Sequence, residues 1–290
     1  MERYPAIWET AGQDLVSAME TGNAQALSDY ARRAKAEADL WAGRIRASRS
    51  NPKVIETGLP RLIQSRMALL ALEKCNLAAA TGKASGKIRF NRVNGHIIQN
   101  LLFHHDLVRK PVSLKWFRFW WPLLTQKRFL MPLVQPKGIY CFYTRDLIAA
   151  LAAMMRGHLC LEIAAGDGTL ARFLRNAGVD IRATDDYSWG HAIHYPEEVS
   201  KLGAREALAQ IKPQAVVCSW PPPGNGFERY VFSTSSVVLY VVIGSRYRFA
   251  SGDWDAYSAQ NTFEGKPDAC LSHLVLPPEL DSSVLIFQRK

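Results

Sequence analysis

From residue 146 to the C-terminus short apolar runs alternate with amphipathic stretches, and that alternation leaves few folds open to this chain. Residues 146–155 place Leu147, Ile148, Leu151 and Met155 on one helical stripe, residues 159–164 read as a buried strand, and residues 169–176 as the next helix. Further strands are predicted at 181–184, 215–218 and 237–243. Strands separated by helices at this spacing build a parallel sheet covered on both faces, so the expected fold class is α/β and Rossmann-like. The junction after the first of these strands reads Leu161-Glu162-Ile163-Ala164-Ala165-Gly166-Asp167-Gly168-Thr169-Leu170. Small residues there let the backbone turn tightly and bring the free amide groups of a helix N-terminus up to a ligand. Asp185, at the end of the second strand, is a carboxylate placed to accept the hydroxyls of a ribose.

Two readings of this turn compete. Gly166-Asp167-Gly168-Thr169-Leu170-Ala171 satisfies the G-x-G-x-x-A pattern of a nicotinamide oxidoreductase. The stretch from about residue 140 onward also resembles the class I S-adenosylmethionine-dependent methyltransferases, which open the same turn with an acid followed by small residues and glycines, here Glu162, Ala164, Gly166 and Gly168. Glu162 on the strand itself, the mid-chain position of the motif and the loop after the 215–218 strand favour the methyltransferase reading. That resemblance implies a seven-stranded sheet, S-adenosyl-L-methionine as cofactor and methyl transfer as the activity, with an inactive cofactor-binding regulator as a lesser alternative. Gly166 and Gly168 would line the methionine and ribose, and Asp185 would hold the ribose. Ala164, standing for the usual first glycine, would narrow the turn. Tyr143 and Cys218 are further expected cofactor contacts, with Tyr140 and Thr144 beside Tyr143.

The loop that begins Ser219-Trp220-Pro221-Pro222-Pro223 occupies the place of the family's reactive loop. Enzymes of the family that methylate amino nitrogens often carry Asn, Asp or Ser, two prolines and an aromatic there. Here Trp220 intervenes and the next aromatic is Phe227, so nitrogen and oxygen acceptors both stay open. Ser219, Trp220 and Asp186 are the catalytic candidates, and Asp186, His191 and His194 the candidates for a general base. In-line displacement at a sulfonium carbon needs alignment and exclusion of water rather than a metal. No metal is expected, because His104-His105 and the His191 and His194 pair lack companions at ligand spacing. Residues 271–276 and 284–287, flanking Pro277-Pro278, are read as the antiparallel pair that closes the sheet, and Trp254, Tyr257 and Phe263 as packing residues.

The first half is different in character. Residues 1–135 hold 21 Lys+Arg and 10 Asp+Glu, and residues 136–290 hold 15 and 16, so the net charge of +10 belongs to the first half. Helices are expected at 6–19, 24–47 and 62–80, with Leu27, Tyr30, Ala34, Ala38, Trp41 and Ile45 along the second and Ile63, Met67, Leu70 and Leu77 along the third. Residues 87–90 alternate, Asn94-Gly95 reads as a turn, and residues 96–103 as a strand or short helix. Residues 114–134 interleave six aromatics with Lys115, Arg118, Lys127 and Arg128, a pattern open to stacking on single-stranded nucleic acid or to lying at a membrane surface, and are read first as an apolar lid over the cofactor domain. The expected domains are thus a basic, mainly helical 1–135 and a Rossmann-like 136–290. The acceptor expected is a small molecule or a peptide or protein side chain; the alternative is RNA gripped by the basic half. Five cysteines without paired short spacings read as reduced thiols, and no membrane-spanning run or secretory signal is visible. The expectation is a cytoplasmic protein without a membrane partner.

Overall fold

The computed structural model describes residues 24–47, 52–81, 90–189, 193–248 and 250–290. The helix expected at 6–19, residues 87–89 and His191 lie outside the described residues, as do the side chains of Leu27, Leu70, Cys75 and Leu77. The chain divides into two compact units, Met1–Ile88 and Arg89–Lys290.

In the first unit α1 (Ala24–Ala47) packs on α2 (Pro52–Thr81), with Ala34, Ala38, Trp41, Met67 and Ala68 buried. The crossing is close at Gly58, where a Cβ would stand 2.6 Å from Trp41 Cε3. α2 starts ten residues before the helix expected at 62. Pro52 suits a first helical turn, whose N–H groups have no intrahelical partner, and the helix runs on through Pro60 although that residue brings no N–H.

The second unit begins with α3 (Arg92–Leu102), which overturns the turn expected at Asn94-Gly95. Asn91 caps this helix by accepting the Asn94 N–H at 2.7 Å, so the dipeptide lies in its first turn. α4 (Leu114–Trp120), the 3-10 turn Trp121–Leu123 and α5 (Leu130–Val134) follow. Phe117, Trp121, Leu124, Leu130 and Val134 join Leu102, Phe103 and Val112 in one core with Phe142 and Leu276. Those last two belong to β1 (Phe142–Tyr143) and β8 (Val275–Leu276), an antiparallel pair outside the main sheet. Residues 90–135 are therefore built onto the Rossmann-like domain, and the division falls at Ile88 and Arg89 rather than at 135 and 136. Among the described contacts, residues 114–134 reach β8 and Glu279 and not the glycine turn.

The main sheet is the expected α/β, Rossmann-like one. After α6 (Arg145–Met155) come β2 (Cys160–Glu162), α7 (Thr169–Asn176), β3 (Ile181–Asp185), β4 (Val199–Lys201), α8 (Ala204–Ile211) and β5 (Ala215–Ser219). α9 (Arg229–Ser233), β6 (Leu239–Ser245), α10 (Trp254–Ala259), β7 (Phe263–Asp268), α11 (Ala269–Ser272), β8 and β9 (Ser282–Arg289) complete it. Seven strands lie in the order β4-β3-β2-β5-β6-β9-β7, with β9 antiparallel to both its neighbours and the other pairs parallel. The closing antiparallel pair is β7 with β9, not 271–276 with 284–287: residues 271–276 are divided between α11 and β8, and Phe263 opens β7. Tyr257 and Phe263 are buried in the core with Trp254 packed against them.

Candidate functional site

Strand order reverses between β2 and β5, and open parallel sheets bind ligands in the crevice at such a point. Backbone strain collects there. Ala164 (φ 49°), Tyr187 (φ 62°) and Trp220 (φ 54°) follow β2, β3 and β5, all in the left-handed region. That conformation costs a residue with a side chain on the order of 1–2 kcal/mol, and it persists where the surroundings over-determine it.

In the turn after β2 the left-handed positions are Ala164, Gly166 (φ 57°) and Gly168 (φ 67°). A Cβ on Gly168 would meet Val199 Cγ2 at 2.6 Å, so that glycine also lets β4 pack against the turn. Beside Gly166 there is room: the nearest atom to a Cβ there is Ile193 Cδ1 at 3.7 Å. Gly168 caps α7 without a side chain, and Glu162 supplies the missing acceptor, its Oε2 taking the Ala171 N–H at 2.8 Å. Burial pushes the Glu162 carboxyl up to about 8. Asp185 is buried, with Oδ2 accepting from the Gly166 N–H and Oδ1 from the Tyr187 N–H, each at 2.9 Å. Each oxygen has a second lone pair beyond the backbone N–H it accepts.

Arg109, which sequence reasoning passed over, ties this turn to the neighbouring stretch. Its buried guanidinium donates to Asp167 Oδ1 at 2.5 Å and to the Cys141 carbonyl at 3.4 Å, and lies 5.9 Å from the centre of the Tyr143 ring. Its Nε is buried without a partner. Burial works against the charge of Asp167, but Arg109 outweighs it and holds the carboxyl below its ordinary value. No signal in the sequence singles Arg109 out, since it stands far upstream of the motif.

On β5 the two-residue period of a strand puts Ser219 with Ala215 and Val217 on the face of Tyr143, and Cys218 on the other. Ser219 Oγ lies 2.7 Å from Tyr143 Oη and 4.0 Å from Cys141 Sγ. Burial pushes both the Tyr143 phenol and the Cys141 thiol above their ordinary values, so both stay protonated at neutral pH. Trp220 stacks on Tyr140 at 6.2 Å and 21°. The rest of the loop is pinned by Glu228. That fully buried carboxylate accepts from Asn225 Nδ2 at 2.6 Å, the Asp253 N–H at 2.9 Å and the Tyr257 hydroxyl at 2.5 Å, and also from the Tyr240 hydroxyl.

The structure thus brings Glu162, Ala164, Gly166, Gly168 and Asp185 together in one turn, with Tyr143, Ser219 and Trp220 in an adjoining cluster. Four other candidates are placed elsewhere. The Cys218 side chain is fully buried among Leu161, Tyr240 and Val242. Thr144 is occupied in capping α6 and in donating to the Leu274 carbonyl. Asp186 is exposed and accepts from the Ser188 N–H at 2.9 Å in a local turn, and His194 is exposed. A cleft of about 470 Å³ along β3 and β4, with Arg175, Arg182 and Glu198 in its walls, shares none of the site residues.

Fold and site together define a Rossmann-like domain with a seven-stranded sheet and a glycine turn at its switch point, and in that turn and the second-strand acid the chain resembles the class I S-adenosylmethionine-dependent methyltransferases. No protein-family model and no curated protein sequence matches the chain. Among solved structures it is similar to magnesium protoporphyrin IX methyltransferase from Synechocystis PCC 6803 with bound SAM, at 11% identity over 74% of this chain and 97% of that one, TM-score 0.37. It is also similar to the plantazolicin methyltransferase BpumL in complex with SAH, at 7% identity over 60% and 93%, TM-score 0.34. A third is a mutant of MtNAS in complex with S-adenosylmethionine, at 10% identity over 98% of each chain, TM-score 0.33.

Proposed function

We propose that this chain is an S-adenosylmethionine-dependent methyltransferase whose acceptor is a small molecule or a peptide side chain. The observation that carries this reading is the left-handed turn at 164, 166 and 168 joined to the buried Asp185 carboxylate through the Gly166 N–H. The residues fit the cofactor. Asp185 has lone pairs for ribose hydroxyls, and the unpartnered Nε of buried Arg109 is a donor for an anionic group such as a carboxylate. S-adenosylmethionine, when bound, supplies a methyl group on a sulfonium leaving group. Ser219, fixed by Tyr143, accepts or donates a hydrogen bond to orient the acceptor, while Trp220 and Tyr140 exclude water.

The cluster also bears on the acceptor. Tyr143 and Cys141 are protonated and Ser219 is neutral, while Asp186 and His194 are exposed. An acceptor that is nucleophilic at neutral pH without help, a neutral amine or a carboxylate, fits this set of groups. Calorimetry with S-adenosylmethionine, S-adenosylhomocysteine and NAD tests the cofactor assignment. Binding of both sulfur nucleosides is expected, and NAD binding without them ends it.

A further inference from the structure

We propose that the face formed by Trp116, Phe119, Trp120 and Leu123 seats this protein on the surface of an anionic phospholipid bilayer. α4 and the 3-10 turn behind it carry two apolar faces instead of one. Phe117, Trp121 and Leu124 point into the core shared with β1 and β8. Trp116, Phe119, Trp120 and Leu123 recur at the i, i+3, i+4, i+7 spacing of a second face; Trp116, Phe119 and Leu123 are 57%, 58% and 60% exposed, and Trp120 is half-buried at its edge, packed in part on the core. A surface helix that only packs on its own core has polar residues there; a contiguous aromatic face marks a binding surface.

Charge identifies the partner. Residues 113–137 contain Lys115, Arg118, Lys127, Arg128 and Lys137 and not one Asp or Glu. Lys127 pairs with Glu279 at 2.8 Å, whereas among the described residues Lys115, Arg118 and Arg128 have no carboxylate partner, and all three are exposed. Indole rings and an exposed Leu ringed by unpaired cations match a bilayer surface, where rings and aliphatic carbon enter the headgroup boundary and Lys and Arg meet lipid phosphates. Single-stranded nucleic acid fits less well. Stacking a run of bases needs parallel ring faces presented side by side, and here neighbouring rings stand perpendicular, Trp116 to Phe119 at 87° and Phe119 to Trp120 at 87°. Leu123 offers nothing to a base. The association is peripheral: no described helix is long and apolar enough to cross a membrane.

Cosedimentation of the full chain with phosphatidylcholine vesicles, with and without phosphatidylserine, tests this. Binding to the anionic vesicles is expected to exceed binding to the neutral ones by about tenfold or more and to weaken with salt. Replacing Trp116, Phe119 and Leu123 together by Ser should abolish it while the protein still melts cooperatively, since more than half of each residue is already exposed. A second variant, Lys115→Gln with Arg118→Gln and Arg128→Gln, should remove the anionic preference alone. The proposal fails if anionic vesicles are not bound, or if the Ser variant binds them as the parent does. It also fails if that variant instead converts a dimer to a monomer in light scattering, or loses binding to single-stranded RNA while vesicles are bound by neither protein.

Discussion

At the scale of single residues, the hydroxyl pair of Ser219 and Tyr143 makes the sharpest claim on chemistry. If the two act as one unit that aims the acceptor, Ser219→Ala and Tyr143→Phe should each lower turnover at least tenfold, about 1.4 kcal/mol of barrier, and the double variant should be little worse than either. S-adenosylhomocysteine affinity should hardly move. Ser219→Ala also leaves the buried Tyr143 hydroxyl short of a partner, so a loss of about 1–3 kcal/mol in stability is expected, and turnover must be compared below the lower melting temperature. Additive rate losses in a double-mutant cycle would show two independent groups. Ala164 makes a claim of the opposite sign. A methyl group at φ 49° is strained, and glycine relieves that strain at the cost of a freer unfolded chain. Ala164→Gly is expected to raise stability by about 0.5–1 kcal/mol in denaturant titration. A loss would mean that the methyl contributes packing worth more than the strain.

At the scale of elements, Glu162 links β2 to α7 through the Ala171 N–H. Burial places its carboxyl near 8, above the value it has in the unfolded chain, so the folded state binds the extra proton between those two values. Stability from this group is therefore full at low pH and falls as pH rises from the ordinary carboxyl range to about 8. Glu162→Gln keeps an acceptor oxygen for Ala171 and removes the titration. Its melting temperature should hold level over that window while the parent's declines, and parallel profiles would place the proton elsewhere. What was legible in the sequence follows the same local physics. α7, β3 and the glycine turn were readable because a period of two or 3.6 and the small residues of a tight turn lie within a few positions of one another. β7 was not, because residues 263–268, Phe-Glu-Gly-Lys-Pro-Asp, lack apolar alternation: five of the six face outward or partly so on an edge strand. Arg109 was invisible because its meaning comes from Asp167, a partner across the fold. Cys218 was misplaced by one position of strand register, which sends a side chain to the other face of a sheet.

At the scale of the whole molecule, the boundary between units changes where the charge belongs. Met1–Ile88 holds 13 Lys+Arg and 9 Asp+Glu, while residues 89–135 alone hold 8 and 1. Much of the basic excess expected of a separate N-terminal domain thus sits on the Rossmann-like unit, in the same stretch of chain as the exposed aromatic face. The same boundary makes a stability prediction. Cutting at 135 would remove Leu102, Phe103, Val112, Phe117, Trp121, Leu130 and Val134 from the core they share with Ile139, Phe142 and Leu276, and would take Arg109 from Asp167. Each buried side chain contributes about 1.5–3 kcal/mol, so a handful exceeds the 5–15 kcal/mol by which whole domains are stable. Residues 136–290 expressed alone should therefore not melt cooperatively or bind S-adenosylhomocysteine. Residues 89–290 should melt cooperatively and bind it with an affinity within about tenfold of the full chain, a difference under about 1.4 kcal/mol. A folded, binding 136–290 would restore the boundary first expected from sequence. Failure of 89–290, with the full chain binding normally, would mean that residues 89–290 do not fold on their own.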